Sequence, residues 1–347
     1  MAVTGRSERD LAATLTDAGF VRVAPRADGD SIAAAGLLLR ALAARSTPFQ
    51  ARVVPLTDDL PADATVPIGF PEEFAPDDRP ASAAAADLVR ELDCEPDPGL
   101  ALAGCLLGGD PEAAGVDLDR RSGVGIPTAD LADGLAHSTL FHADFSGDET
   151  AVGAHLAELA DDDRAVASLA ALDAVGSEAA SDRAATAIER ALRPHATPEG
   201  PFETAEGLAD VLDCLARDAP GVALALAMGH DTRLEALDAW RTHATAAHDA
   251  IRGADTGRYD GLFVARINEG PVATVARLLR DFRSPEPVVL VVADDEAGAA
   301  GFDGVGEAMA EAGVAVDGMG GGTPSRGVAR FDCPPEAFLE AFRGAMA

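Results

Sequence analysis

Residues 21–42, VRVAPRADGDSIAAAGLLLRAL, place a short β-branched run, a proline break, an Asp-Gly-Asp turn and a small-residue helix in immediate succession. A switch of apolar period from two residues to about 3.6 within one stretch predicts a strand delivered straight into a helix. The same order continues along the chain. FQARVV (49–54) and ATVPIGF (64–70) read as further short strands, and ASAAAADLVREL (81–92) reads as a helix. GLALAGCLLGG (99–109) reads as a buried helix or strand ending at glycines. Alternation of this kind predicts a mostly parallel sheet covered by helices, with ligands at the loops beyond the strand C-termini.

The alternation lapses between about 151 and 250, where segments such as TAEGLADVLDCLA and RLEALDAWRTHATAAHDAIR carry apolar residues at three- and four-residue spacing. It resumes from about 257 with YDGLFVARI, PVATVARLLRDF, EPVVLVVAD, VGEAMAEAG and the glycine-rich GMGGGTPSRGVARF. The expected fold class is α/β: an N-terminal domain over 1–150, a helical connector or insert over 151–250, and a smaller C-terminal α/β domain over 251–347. Only 4% of residues are aromatic although 48% are apolar, so Ala, Val and Leu must fill the cores.

The net charge is −32, from 59 acidic and 27 basic residues, and every basic residue is arginine. The acids are spread along the chain. This suits a solvated carboxylate shell in a salt-rich cytoplasm and not an acidic tail for a basic partner. No apolar run reaches the roughly 20 residues that a membrane span needs, and the N-terminus lacks the order of a secretory signal. The expected location is cytoplasmic, with no membrane partner. The four cysteines form no C-x-x-C pair and read as reduced thiols.

Asp28 and Asp30 follow a strand and precede a helix, a placement from which carboxylates can reach metal ions. Asp30, next to Ser31, reads as a helix N-cap, and Asp28 as the ligand candidate. AHSTLFHADFSGDE (136–149) groups His137, His142, Asp144 and Asp148, residue types that suit a transition metal, although isolated histidines more often serve structural hydrogen bonds. In GMGGGTPSRGVARF, consecutive glycines let backbone N–H groups approach a phosphate, with Arg326 and Arg330 nearby. The same glycines also suit a plain turn between strands.

An Asp-bearing strand–turn–helix near the N-terminus, a Gly-Gly-Gly run near the C-terminus, and NEGPVATVARLLRDFRSPEPVVLVVA between them together resemble the DHH phosphoesterase superfamily, specifically its RecJ-like archaeal members. The resemblance implies two α/β domains with a cleft between them, the second being the DHH-associated, nucleic-acid-binding domain. It also implies manganese-dependent phosphodiester hydrolysis in active members, where paired metals activate water and stabilise the leaving oxygen. The metal-binding pattern is broken here. The family's first motif falls on Ala24, Arg26 and Asp28, so Asp28 alone survives. EEFAPDDRPAS replaces the Asp-His-His motif with Asp77 and Asp78, and Gly69 and Phe70 stand where an aspartate is expected. The last ligand is displaced to Asp110 or lost, and Gly320, Gly321 and Gly322 are followed by Thr323 instead of histidine. A guanidinium about 4 Å from a divalent ion adds roughly 4 kcal/mol of repulsion per metal charge even at an effective dielectric near 20. No histidine or cysteine occurs in residues 20–93 to compensate.

Arg26 therefore reads either as filling the vacated position beside Asp28 or as a solvated strand-end arginine. The resemblance and its broken motifs imply a catalytically degenerate RecJ-like protein of DNA replication or repair, with no cofactor. Its expected partners are single-stranded DNA or RNA, GINS-type replisome proteins, or an active RecJ-like paralogue. Phosphate contacts would come from Gly320, Gly321, Gly322, Thr323, Arg326, Arg330, Arg266, Arg277 and Arg283. The alternative is an active manganese-dependent single-strand exonuclease using Asp28, Asp110 and His142.

Overall fold

The structure, a computed structural model, describes residues 8–346 apart from 64, 71–73, 75–78, 158, 160–161 and 178. Two units divide the chain. One comprises Met1–Arg121, Gly125–Thr128 and Pro194–Trp240, and the other Ser122–Val124, Ala129–Arg193 and Arg241–Ala347.

The chain begins with α1 (Glu8–Thr16), β1 (Val21–Pro25), α2 (Gly29–Ala44), β2 (Phe49–Ala51), β3 (Val66–Ile68), α3 (Ala81–Glu91) and α4 (Pro98–Gly108). The strands form a parallel sheet in the order β2-β1-β3, with Val21 opposite Phe49 and Val23 opposite both Ala51 and Val66. Helix α2 is apolar nearly all round because it is buried nearly all round, against the sheet, α3, α4 and helices contributed later in the chain. Small side chains let these helices approach closely. A Cβ at Gly104 would stand 2.5 Å from Ser82 Cβ and 2.8 Å from Ala33 Cβ. That closeness is how a core almost without aromatics is packed.

Four helices of the second unit follow: α5 (Leu131–His137), α6 (Glu149–Leu156), α7 (Asp163–Gly176) and α8 (Ala184–Glu189). Then α9 (Ala205–Asp218) and α10 (Pro220–Ala227) return to the first unit, and α11 (Arg233–Gly253) begins there and ends in the second. The stretch expected as a separate connector is thus shared between the units. Leu208, Leu212 and Leu215 of α9 and Leu226 of α10 complete the first core, together with Trp240. A helical repeat reveals an apolar face but not which sheet that face will cover.

The second unit continues with β4 (Asp255–Tyr259), β5 (Leu262–Arg266), α12 (Val272–Phe282), β6 (Val288–Val292), β7 (Glu296–Ala300), α13 (Val305–Ala315), β8 (Met319–Thr323), β9 (Arg326–Arg330) and α14 (Pro335–Ala345). Its six strands run β4-β5-β6-β7-β9-β8, parallel only between β5 and β6. One face, with Leu262, Leu290 and Val292, packs on α13 and α14, where Phe331 stacks on Phe338 at 4.4 Å between ring centres. The other face, with Val289 and Val291, packs on α12 and on Ala247 of α11.

Candidate functional site

In the first unit the chain leaving β1 is fastened at the sheet's C-terminal end. The Arg26 N–H donates to the Ile68 carbonyl and the Ala27 N–H to the Val54 carbonyl, each at 2.9 Å. A bond from the Asp28 N–H to the Arg26 carbonyl then turns the chain into α2. Asp28 is the N-cap, accepting the Ser31 N–H at 2.8 Å through Oδ1. Its Oδ2 accepts Arg26 Nε at 2.5 Å, the two side chains being 27% and 13% exposed. Burial alone would raise the Asp28 carboxyl, but the Arg26 guanidinium and the Ser31 N–H outweigh it and hold it below the ordinary range.

Asp30 has a partner far along the chain. Its two oxygens accept the N–H groups of Ala81 at 2.7 Å and Ser82 at 2.9 Å, capping α3, whose own N-cap, Pro80, offers no side-chain bond. Both acids are thus caps: Asp28, expected as a ligand, caps its own helix, and Asp30, expected to cap that helix, caps the next. Burial pushes the Asp30 carboxyl up to about 6, with the neighbouring Asp28 charge adding to the effect.

Ala24, Gly69 and Phe70 put apolar groups at positions where the resemblance places metal ligands. Ala24 and Phe70 are both buried and pack with Val54 in a small cluster. Gly69, at φ +78°, leaves no room for a side chain, because a Cβ there would stand 2.2 Å from Ser31 Oγ. Asp110 is exposed and caps the short turn Pro111–Ala114 through Ala113 N–H. Asp77 and Asp78 lie outside the described residues. Among the described residues no three His, Cys, Asp or Glu side chains are grouped as a metal ion would require. An Arg–Asp pair beside an Ala–Val–Phe cluster does not fit a manganese pair.

In the second unit the glycine run is an edge strand and not a loop: Gly320, Gly321 and Gly322 belong to β8, and Thr323-Pro324-Ser325-Arg326 forms the turn to β9. The glycines let α13 lie on the strand. A Cβ at Gly320 would stand 2.0 Å from the Met309 carbonyl oxygen. Arg326 and Arg330 lie four residues apart on one face of β9, about 13 Å along the strand. Arg266 is exposed and pairs with Glu336 at 2.7 Å.

Arg277 and Arg283, expected on a phosphate-binding surface, are structural. Buried Arg277 donates to the Thr139 carbonyl at 2.9 Å and to Thr139 Oγ1 at 3.3 Å. Arg283, 12% exposed, pairs with Asp144 at 2.8 Å. His142 is buried, with Nδ1 3.0 Å from His248 Nδ1. Because His248 Nε2 donates to the Ser138 carbonyl at 3.1 Å, its Nδ1 is the acceptor, and His142 Nδ1 carries the proton between the rings. Burial holds both rings below 6.5, His248 at about 3.

Three polar pairs lay beyond the sequence reading. Asp133 receives Arg241 through Nε and Nη2, each at 2.8 Å, Glu206 accepts His195 Nδ1 at 2.7 Å, and Asp210 accepts Trp240 Nε1 at 3.1 Å. The only local signal was an acid on an otherwise apolar helix face at Glu206 and Asp210.

Residues 254–344 match the family model described as "Uncharacterized protein rrnAC1427, C-terminal domain". The whole chain is 50% identical to the protein rrnAC1427 of Haloarcula marismortui over 377 aligned residues, covering 100% of both. Among solved structures it is similar to the exonuclease RecJ bound to manganese, with a TM-score of 0.52 and 17% identity over 99% of this chain and 94% of that one. It is also similar to CDC45 from Entamoeba histolytica, with a TM-score of 0.56 and 6% identity over 99% of both. At such identities the likeness is one of fold. The chain belongs to the rrnAC1427 family, and its fold is similar to that of RecJ and CDC45.

Proposed function

We propose that this protein is a catalytically inert RecJ-like component of nucleic-acid metabolism that acts by binding, to single-stranded nucleic acid or to a GINS-type replisome partner. The observation that carries this reading is the Arg26–Asp28 pair: a tethered guanidinium sits on the one carboxylate that survives from the family's first motif. The exonuclease alternative needs Asp28, Asp110 and His142 at one ion. Asp28 is engaged by Arg26 and Ser31, Asp110 caps an exposed turn, and His142 is buried against His248.

With Arg277 and Arg283 engaged internally, phosphate contacts fall to Arg266, Arg326 and Arg330. Three contacts to a single strand give a slope of log affinity against log salt of about −2. The test is a nuclease assay on single-stranded oligonucleotides with manganese, run beside a binding titration across salt concentrations. The expected result is no cleavage and a shallow salt slope; cleavage abolished by Asp28→Ala would establish the exonuclease instead.

A further inference from the structure

The outer edge of β8 has no strand beside it among the described residues. Sheets protect such edges with charges, prolines or bulges. The opposite edge, β4, carries exposed Asp255 and Arg258, whereas β8, Met-Gly-Gly-Gly-Thr, has no charge or proline within its length. Above it, α13 lies directly on the strand. Added Cβ atoms at Gly306 and Gly313 would stand 2.4 Å from the Thr323 carbonyl oxygen and 2.7 Å from the Gly320 nitrogen. Ala308 and Ala312 turn inward to the core. At about 3.6 residues per turn, Ala310 and Val314 then project outward past β8, and Val314 is 74% exposed.

On the other face of the sheet, Arg326 and Arg330 stand opposite Thr323 and Met319, with Gly321 between them offering no side chain as a barrier. Glu296 faces Arg330 from the inner side. A seventh strand would lie about 4.8 Å beyond β8 and about 10 Å beyond β9, close enough for an arginine extended across Gly321.

We propose that the β8 edge takes up an extended peptide segment of alternating small apolar and acidic residues. Backbone N–H and C=O groups would pair with β8, the apolar side chains would lie beside Ala310 and Val314, and the acidic ones would face Arg326 and Arg330. This inference rests on the reading of the protein as a binding component and names its partner class.

Anisotropy titrations of the full chain with labelled Asp-Val-Asp-Val-Asp-Val-Asp test it. Controls are the same peptide N-methylated at alternate residues, its lysine counterpart, and oligo(dT). The acidic peptide should bind, and both altered peptides should bind at least about tenfold more weakly. Val314→Asp and Arg326→Gln, both at surface positions, should each weaken binding by about tenfold with the circular dichroism unchanged. Failure of the acidic peptide to bind overturns the proposal, as does indifference to N-methylation or to Val314→Asp. Oligo(dT) binding that needs Arg326 but not Val314, without peptide binding, would assign this face to nucleic acid. Manganese-dependent cleavage would sink the inert-binder reading separately, leaving the peptide result to stand on its own.

Discussion

Asp28 and Asp30 are two residues apart in sequence yet titrate in opposite directions, because a guanidinium outweighs burial at Asp28, whereas at Asp30 burial, with the like charge of Asp28, outweighs the helix-end N–H groups. Asp28→Ala removes an N-cap and leaves Arg26 without this partner, and should cost about 2–3 kcal/mol in denaturant unfolding; Asp28→Asn keeps a capping oxygen and should cost about 1. Asp30 sets a pH dependence of its own. Its folded pKa, about 6, exceeds the ordinary 3.8, so its contribution to stability is complete below 3.8 and is lost as pH rises through 6. Asp30→Asn should flatten the stability profile across that window, and a profile unchanged by the substitution would refute the assignment. The sequence could show that one of two acids after a strand caps a helix. It could not show that the other caps a helix beginning 51 residues later, since local spacing carries no record of that neighbour.

Among the elements, the segment 138–147 is held by side chains from three helices: Asp173 of α7, His248 and Arg252 of α11, and Arg277 of α12 with Arg283 at its C-terminal cap. The buried histidine pair makes this anchorage pH-sensitive. Both rings have folded pKa values below 6.5, so their contribution is full above 6.5 and declines as pH falls from there toward about 3. Hydrogen exchange in 138–147 should therefore accelerate between pH 6.5 and 4 relative to α13, after correction for intrinsic rates. In a variant carrying both His142→Leu and His248→Leu that extra pH dependence should disappear; its persistence would exclude the pair as the cause. His142 was visible in the sequence as a candidate ligand, but the ring that engages it belongs to a residue 106 positions away. The β8 strand escaped notice for a different reason. A strand made of glycines has no side chains to alternate, so the two-residue period that betrays β6 is missing.

At the level of the whole molecule, the strand–helix alternation was enough to read an α/β fold, because each strand needs a helical cover and the order of periods records that need. The division into units was not legible, since a helix's apolar face does not record which core it will cover. A net charge of −32 on 347 residues implies strong self-repulsion at low salt, relieved as the Debye length contracts from about 10 Å at 0.1 M to about 3 Å at 1 M. Any metal measurement must therefore be made in concentrated salt, where this repulsion and non-specific ion uptake by surface carboxylates are both screened. Manganese binding by electron paramagnetic resonance under those conditions tests most directly whether Arg26 has taken the place of the metal. No tight manganese should bind, and Arg26→Ala should by itself restore none, because Ala24, Gly69 and Phe70 supply no ligand. Two manganese ions per chain, lost on Asp28→Ala, would contradict this.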